Sequence, residues 1–303
     1  MKYICLTLIF LLYLPVAHAQ AVTGAGKGGN PVPDLIARSK RAVVALAFLV
    51  STKPPDEDTP SYALDYPPGQ TLYAIIAGTG FVVSQDGLIV TADHVVAKAP
   101  NLVFALFPDS EIKSGQVVPS IGHCAVVSTK VMSRSEEEDY AVYKTETHDL
   151  PFLRFGKFAD VREGEDLIFI GYPFGVLAAV THRGMVSWKG TFKFDDIPRE
   201  LQVAQLNAIV NNGNSGGPLI DLNRGQVVGI IRAKFGRLSR YLQTIKDGKI
   251  VWGGNFEGGG FDFVRFVKDT VDVVDRDIQM GVGYAVSSEY AEQGLKSLAK
   301  STP

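Results

Sequence analysis

The stretch GTGFVVSQDGLIVTADHVV, residues 78–96, decides the fold, because its apolar runs are typical of β-strands and lead directly to His94. A histidine at the edge of such a strand is able to take up and release a proton near neutral pH. Two later segments have the same character: EEEDYAVYKT (136–145) with Asp139, and NNGNSGGPLID (211–221) with Ser215.

The three residues predict a nucleophilic triad. A serine hydroxyl is a weak nucleophile until a base removes its proton, and His94 is the candidate base for Ser215. Asp139 is the candidate orienting acid, since a carboxylate on the far ring nitrogen fixes the tautomer and stabilises the imidazolium. The order His, Asp, Ser is one of the known chain orders for such a triad. A serine endopeptidase is therefore the leading interpretation.

The glycines around the candidate nucleophile predict a second feature. Gly213, Gly216 and Gly217 permit a tight backbone path that most side chains would block. Such a path aims backbone N–H groups at one point, where an oxyanion would develop. We expect the oxyanion hole to consist of Gly213, Asn214 and Ser215.

The distribution of short apolar runs predicts an all-β fold of sandwich or barrel type. Two groups of about six runs, joined near residues 150–160, predict two six-stranded antiparallel barrels, at about 42–150 and about 160–286. A short helix with Asp34 as its N-cap should precede them, and a helix over 287–300 should follow.

Two stretches interrupt the succession of strands. The Pro-rich, acidic residues 51–70 predict an exposed loop. Residues 234–279 form a long insertion before the last strand, and loops of this length are usually functional or disordered.

The N-terminus predicts export. Residues 1–19 have one lysine, an apolar run of about 14 residues and the ending Ala17-His18-Ala19, so we expect a signal peptide cleaved after Ala19. The alternative is an uncleaved anchor, but the run is shorter than the roughly 20 residues that span a bilayer. Residues 20–33 should be a flexible lead-in, and the mature protein should be periplasmic or secreted without a transmembrane segment.

Composition excludes several other classes. The net charge of −2 argues against a nucleic-acid partner, which would require a basic surface. Only Cys124 remains after signal cleavage, so no intramolecular disulfide is expected. His123 and His148 lack metal-ligand partners at familiar spacings, and the acids of 269–279 lack the pattern of a calcium loop. We therefore expect no metal and no cofactor.

The three segments resemble the trypsin-like serine peptidases, most closely the HtrA/Deg type. Further segments are similar to later signatures and closing elements of that family: GYPFG (171–175), GQVVGIIRA (225–233) and GVGYAVSSEYAEQGLKSL (281–298). The resemblance implies a peptidase domain over 34–303, with two perpendicular chymotrypsin-like barrels and the triad in the cleft between them. Only 17 residues follow Val286, so we expect no PDZ domain.

The resemblance also implies a substrate pocket. In this fold the residues just before the nucleophile line the primary pocket, which points here to Ile209 and Val210, with Ile230 and Ile231 on the following strand. None is acidic, so a small or medium aliphatic residue before the scissile bond is the expected preference.

Three functions remain open at this point. The first is an exported endopeptidase acting on unfolded or extended polypeptides, with an undetermined oligomeric state. The second is a catalytically silent binding or chaperone protein with the same fold. The third is a small-molecule esterase, which the strand after Ser215 disfavours because an α/β-hydrolase nucleophile is followed by a helix.

Overall fold

The computed structural model describes residues 31–51, 53, 60–65, 69–99, 101, 103–108, 120–121, 124–234, 257–258, 261–262, 267, 269–270 and 282–301 of the chain. The expected signal peptide, most of the lead-in and most of the 234–279 insertion lie outside the described residues, as does His123. Within the insertion, two short strands pair with each other, β15 (Glu257–Gly258) and β16 (Phe261–Asp262).

The N-terminal half forms one antiparallel sheet of nine strands. Its central strands are long and carry β-branched or apolar residues that are almost fully buried, as the apolar runs predict. The strands are β1 (Val43–Ser51), β2 (Ser61–Asp65), β3 (Thr71–Val82), β4 (Leu88–Thr91), β5 (Val103–Pro108), β6 (Ser120–Ile121), β7 (Cys124–Ser128), β8 (Lys130–Ser135) and β9 (Tyr140–Lys144).

This sheet differs from the expected six-stranded barrel in three ways. The stretch 51–70 is not simply a loop, because β2 pairs with β3 along its whole length, from Ser61 opposite Ile75 to Asp65 opposite Thr71. The apolar run 124–132 is divided between β7 and β8, which pair with different neighbours, β5 and β9. Within the described residues the sheet is an open half-barrel rather than a closed barrel.

The C-terminal half forms a closed barrel of six strands, in the order β10-β11-β12-β17-β14-β13. The last strand closes the barrel, because β17 pairs with both β12 and β14. The strands are β10 (Asp166–Gly171), β11 (Val180–Phe192), β12 (Leu201–Leu206), β13 (Pro218–Asp221), β14 (Val227–Lys234) and β17 (Gly283–Ser287). The prediction of an all-β fold with two β-sheet units is confirmed: one unit is this closed barrel and the other is the half-barrel sheet.

The α-helices whose full extent lies within the described residues are α1 (Pro31–Lys40), α2 (Asp93–Val96) and α3 (Glu289–Ser301). Because α1 begins at Pro31, Asp34 lies in its first turn, where a carboxylate favours the helix dipole, rather than at the predicted N-cap. Across the described ranges, no helix has the length and apolarity that crossing a membrane requires.

The largest hydrophobic core lies between the two halves. It joins β1, β3, β4 and β9 to barrel residues that lie outside the barrel's own core, among them Ile168, Ile170, Ile220 and Ile230. Burial of this apolar surface holds the two halves together and fixes the strand ends that meet between them.

Candidate active site

Strand pairing brings His94 and Asp139 together. Thr91 in β4 pairs with Ala141 in β9, so the chain that continues into α2 runs beside the chain that enters β9. The Nδ1 atom of His94 lies 2.9 Å from both carboxylate oxygens of Asp139. The backbone N–H of His94 also donates to Oδ1 of Asp139, at 3.0 Å.

The environment of Asp139 keeps its carboxylate charged. The side chain is 3 % exposed and burial opposes ionisation, but hydrogen bonds from His94, the charge of that imidazole and the charge of Arg232 outweigh burial and lower the pKa of Asp139. Asp139 adopts a φ of 50°, a left-handed conformation that aspartate tolerates better than most residues. The imidazole of His94 remains 34 % exposed and accessible from the cleft.

Ser215 lies in the turn between β12 and β13, and two glycines give that turn its shape. Gly213 has a φ of 93° and Gly216 a φ of 84°. A Cβ atom at Gly216 would collide with the carbonyl oxygen of Thr79 and the hydroxyl of Thr91, and one at Gly213 would collide with the carbonyl of Tyr172. The turn that carries Ser215 therefore packs closely against β4, the strand that leads to His94.

The hydroxyl of Ser215 is not hydrogen-bonded to His94 in this conformation. It donates instead to the backbone carbonyl of Arg232, at 3.0 Å. A rotation about the Cα–Cβ bond of Ser215, between staggered rotamers, is needed to turn the hydroxyl away from β14. The carboxylate and imidazole are thus paired, while the hydroxyl of the candidate nucleophile Ser215 is turned toward β14.

The expected oxyanion-hole groups divide into two kinds. In the described part of the chain, the backbone N–H groups of Gly213 and Ser215 have no acceptor, so both are available to an incoming anion. The N–H of Asn214 donates to the carbonyl of Asn211 at 3.0 Å, which removes it from the set that the sequence predicts. The alternating direction of successive peptide groups in a tight turn accounts for this difference.

The residues expected to line the substrate pocket are mostly in the core. Ile209 is 43 % exposed, whereas the exposures of Val210, Ile230 and Ile231 are 2 %, 1 % and 0 %. Val210 and Ile231 belong to the barrel's own core, and Ile230 belongs to the core between the halves. Burial removes these three side chains from any surface that a substrate reaches in this conformation.

Sequence reasoning missed Arg232, which lies within the apolar run of β14. Its Nε atom is 2.7 Å from Oδ2 of Asp139, and its Nη2 atom is 2.9 and 2.8 Å from the two oxygens of Asp196. The sequence signal is weak, because Arg232 is a charge near the end of an apolar strand and Lys234 follows it two residues later. Asp93, which precedes His94 in the sequence, pairs with Arg134 at 2.7 and 2.9 Å.

No metal site is evident in the part of the chain that the structure describes: no group of three or more His, Cys, Asp or Glu side chains is placed to hold an ion. Cys124 is buried and forms no disulfide within the described residues.

The sequence and the fold match known peptidases. The pattern of the trypsin-like peptidase domain family matches residues 78–230, half of the chain, and the chain therefore belongs to that family. This range includes His94, Asp139 and Ser215, and it ends within β14.

Curated relatives and a solved structure extend the comparison. The chain is 39 % identical over 155 residues to the "Probable periplasmic serine endoprotease DegP-like" of Hahella chejuensis, covering 50 % of this chain and 29 % of that protein. It is 38 % identical over 160 residues to "Serine protease HTRA1A" of Danio rerio, covering 52 % and 30 %. The chain thus spans less than a third of the length of these relatives.

The solved structure "HtrA-type protease AlgW with decapeptide" has the same fold, with a TM-score of 0.59 at 21 % identity, over 89 % of this chain and 68 % of that one.

Proposed function

We propose that this protein is an exported serine endopeptidase of the HtrA/Deg type, which hydrolyses peptide bonds through a covalent acyl-enzyme. The observation that carries the proposal is the contact between Nδ1 of His94 and the buried carboxylate of Asp139 at 2.9 Å, beside the glycine-framed turn of Ser215. Family membership and the DegP-like relatives support the same class of reaction.

The proposed chemistry needs no group beyond the chain itself. The hydroxyl of Ser215 attacks the substrate carbonyl carbon while Nε2 of His94 takes its proton, and Asp139 stabilises the resulting imidazolium. His94 then returns the proton to the leaving amine, and water hydrolyses the ester by the same route. The N–H groups of Gly213 and Ser215, which have no acceptor in the described part of the chain, would receive the oxyanion in both steps.

The proposed substrates are unfolded or extended polypeptides. One related protein is described as bound to a decapeptide, and several relatives are named periplasmic, which supports a peptide substrate and a location in the cell envelope. The proposed aliphatic preference before the scissile bond now rests on Ile209, the one exposed member of the four expected pocket residues.

The test combines covalent labelling with proteolysis. The mature protein and its Ser215→Ala variant are treated with a fluorophosphonate probe and assayed on casein, and the fragments are sequenced by mass spectrometry. We expect labelling of the unmodified protein alone, and a loss of turnover in the variant of about 10⁴-fold or more. Equal activity in both proteins would contradict the proposed triad. Cleavage restricted to Arg or Lys would contradict the aliphatic preference.

A catalytically silent binding protein is the second candidate. The observation that favours it is the hydrogen bond of Ser215 to the carbonyl of Arg232, which leaves the nucleophile unpaired with its base. Under this alternative, neither protein reacts with the probe or degrades casein.

A further inference from the structure

We propose that Arg232 is a positioning residue of the triad, and that Arg232 and Asp196 together set the pH at which His94 becomes protonated. This inference rests on the proposed function for its catalytic meaning, because it assigns His94 as the base. It concerns groups on three separate segments: β14, the turn before β9, and the connection between β11 and β12.

The guanidinium of Arg232 shares the carboxylate of Asp139 with His94. Its side chain is 7 % exposed, and Nε lies 2.7 Å from Oδ2 of Asp139. The Nε–H bond does not point at that oxygen, so the contact is an ion pair rather than a hydrogen bond, and this buried N–H has no hydrogen-bond partner. His94 is thus the group that hydrogen-bonds to the carboxylate of Asp139, while the guanidinium of Arg232 contacts the same carboxylate as a charge.

The sign of the effect follows from the charges. An aspartate next to a histidine favours the imidazolium, and a permanently charged guanidinium next to the same aspartate opposes it. The low exposure of Arg232 and Asp139 weakens screening by water and salt. Arg232 therefore favours the neutral imidazole, which is the form that acts as a base, down to a lower pH.

Asp196 contacts the other side of the guanidinium of Arg232. Its negative charge favours protonation of His94, which is the opposite of the effect of Arg232. Both of its oxygens contact Nη2 of Arg232, and the ring of Phe194 stacks under the guanidinium, with its centroid 4.0 Å from Cζ. Phe194 is itself held by Phe192 and Tyr284, at centroid distances of 4.9 and 5.9 Å. Because Asp196 is 66 % exposed, its negative charge offsets that of Arg232 only in part.

The other charged groups around the site are arranged mainly as opposite pairs. Glu138, next to Asp139, pairs with Arg199 at 3.1 Å, and Asp93, next to His94, pairs with Arg134 at 2.7 Å. Lys193 and Asp195 flank Phe194 on the same connection as Asp196. All of these groups stay in place when Arg232 or Asp196 is changed, so they do not alter the direction of the two expected shifts.

Arg232 also contacts the nucleophile through its main chain. The carbonyl of Arg232 accepts the hydrogen bond from Ser215 while its side chain reaches Asp139. One residue therefore contacts both the hydroxyl of Ser215 and the carboxylate that orients the base.

The test follows protonation of the His94 ring by NMR in the full mature chain, alongside the acid limb of kcat/KM on fluorescent casein. The proteins are the unmodified chain, Arg232→Gln and Asp196→Asn, with the His94 signals assigned by their loss in His94→Gln. We expect Arg232→Gln to move the midpoint of His94 protonation to higher pH by about one unit. Asp196→Asn should move it by a smaller amount to lower pH.

The opposite signs separate an electrostatic role from a merely structural one. Both substitutions break the same ion pair, so simple loosening would shift both midpoints in the same direction. Arg162→Gln is the matched control, since Arg162 is 79 % exposed and its partner Glu165 directly precedes β10, with no contact to the triad residues. The midpoint of His94 protonation in this variant should equal that of the unmodified chain.

Each outcome decides one of the two proposals. An unmoved or lowered midpoint in Arg232→Gln, or a raised midpoint in Asp196→Asn, would overturn this inference. If Arg232→Gln does not fold, Asp196→Asn decides the question alone, because its changed side chain is largely exposed. Absence of casein hydrolysis in the unmodified chain would contradict the proposed function, while the NMR midpoints would still decide the inference.

Discussion

Asn214, the residue before Ser215, is held in an unusual polar environment. Its side chain is fully buried, and its Oδ1 atom has no hydrogen-bond partner among the described residues. Its Nδ2 atom lies 3.5 Å from Nε2 of His182, whose ring stacks on Phe169 with the centroids 4.7 Å apart. Burial lowers the pKa of His182 below its ordinary value of 6.5. The neutral imidazole of His182 therefore helps to hold Asn214, in the turn that carries Ser215.

This arrangement predicts a loss of stability in acid that depends on His182. Below pH 6.5 the unfolded chain takes up a proton at His182 that the folded chain resists, so the stabilising contribution present above that pH falls as pH falls toward the folded-state pKa. His182→Phe keeps a stacked ring and removes the titration. We expect the stability of the unmodified protein, relative to His182→Phe, to fall by up to about 1.4 kcal/mol per pH unit.

Chemical denaturation at pH 8, 7, 6 and 5 measures this difference. His148→Phe is the matched control, because His148 is exposed. A difference between the unmodified protein and His182→Phe that stays constant across the four pH values would contradict the prediction.

The residues of the candidate site differ in how far the sequence alone predicts them. Ser215 and His94 stand within local sequence patterns. Glycines surround Ser215, and an apolar strand pattern leads to His94. Arg232 has no local signal, because its partner Asp139 lies on a distant segment and only the fold brings them within 2.7 Å. The use of the Asn214 N–H within its own turn likewise depends on backbone geometry that residue identity does not reveal.

At the scale of elements, Thr79 in β3 connects the two halves at the turn that carries Ser215. Its hydroxyl donates to the carbonyl of Gly213 at 2.6 Å and accepts from the N–H of Tyr172 at 3.0 Å. Its backbone N–H donates to the carbonyl of Ser215 at 2.9 Å. One fully buried threonine of the first sheet thus holds the turn that the second barrel carries.

Thr79→Val should weaken both stability and catalysis. The substitution leaves the shape nearly unchanged but removes the hydroxyl, so the carbonyl of Gly213 and the N–H of Tyr172 lose a buried partner. Such losses cost about 1–3 kcal/mol of unfolding free energy. Displacement of the turn should also lower kcat on casein by about tenfold or more, since small misplacements of reacting groups are costly.

Thr129→Val is the control for this change. Thr129 also donates its hydroxyl to a backbone carbonyl, that of Val103 at 2.6 Å, but it does so within the first sheet. We expect this variant to lose stability with little change in kcat. Equal kcat values for the two variants would show that Thr79 has no special effect on the turn.

Periodicity predicts strands better than it predicts which side chains face a ligand. The apolar run of β14 correctly indicates a strand, yet Ile230 and Ile231 are buried in two different cores, because both faces of this barrel strand are covered. The strand β2 falls in a Pro-rich acidic stretch whose composition indicates a loop, and pairing with β3 overrides that tendency.

At the scale of the whole molecule, the two halves share one core. Leu46, Phe81 and Val142 of the first sheet belong to the same cluster as Ile168 and Ile170 of the barrel, and all are fully buried. Neither half retains its buried surface without the other, so the separate unfolding of one half exposes part of the core of both.

We therefore expect the two halves to unfold in one cooperative transition. Native-state hydrogen exchange in increasing denaturant should bring the amides of Leu46 and Ile168 to the same opening free energy and the same denaturant slope. Ile168→Ala, a change in the barrel, should lower the opening free energy at both positions equally, by about 2–5 kcal/mol. A drop confined to the barrel would show that the halves unfold independently.

The place of β17 and α3 in the chain order has a consequence for biosynthesis. The barrel closes only when β17 pairs with β12 and β14, and the residues of α3 then pack against the strand that follows Asp139, with Gly294 against the ring of Tyr140. Glu289 also accepts the N–H of Phe158 at 2.9 Å, within the link between the halves. A nascent chain emerging N-terminus first from a ribosome therefore carries all three residues of the proposed triad well before it can assemble them.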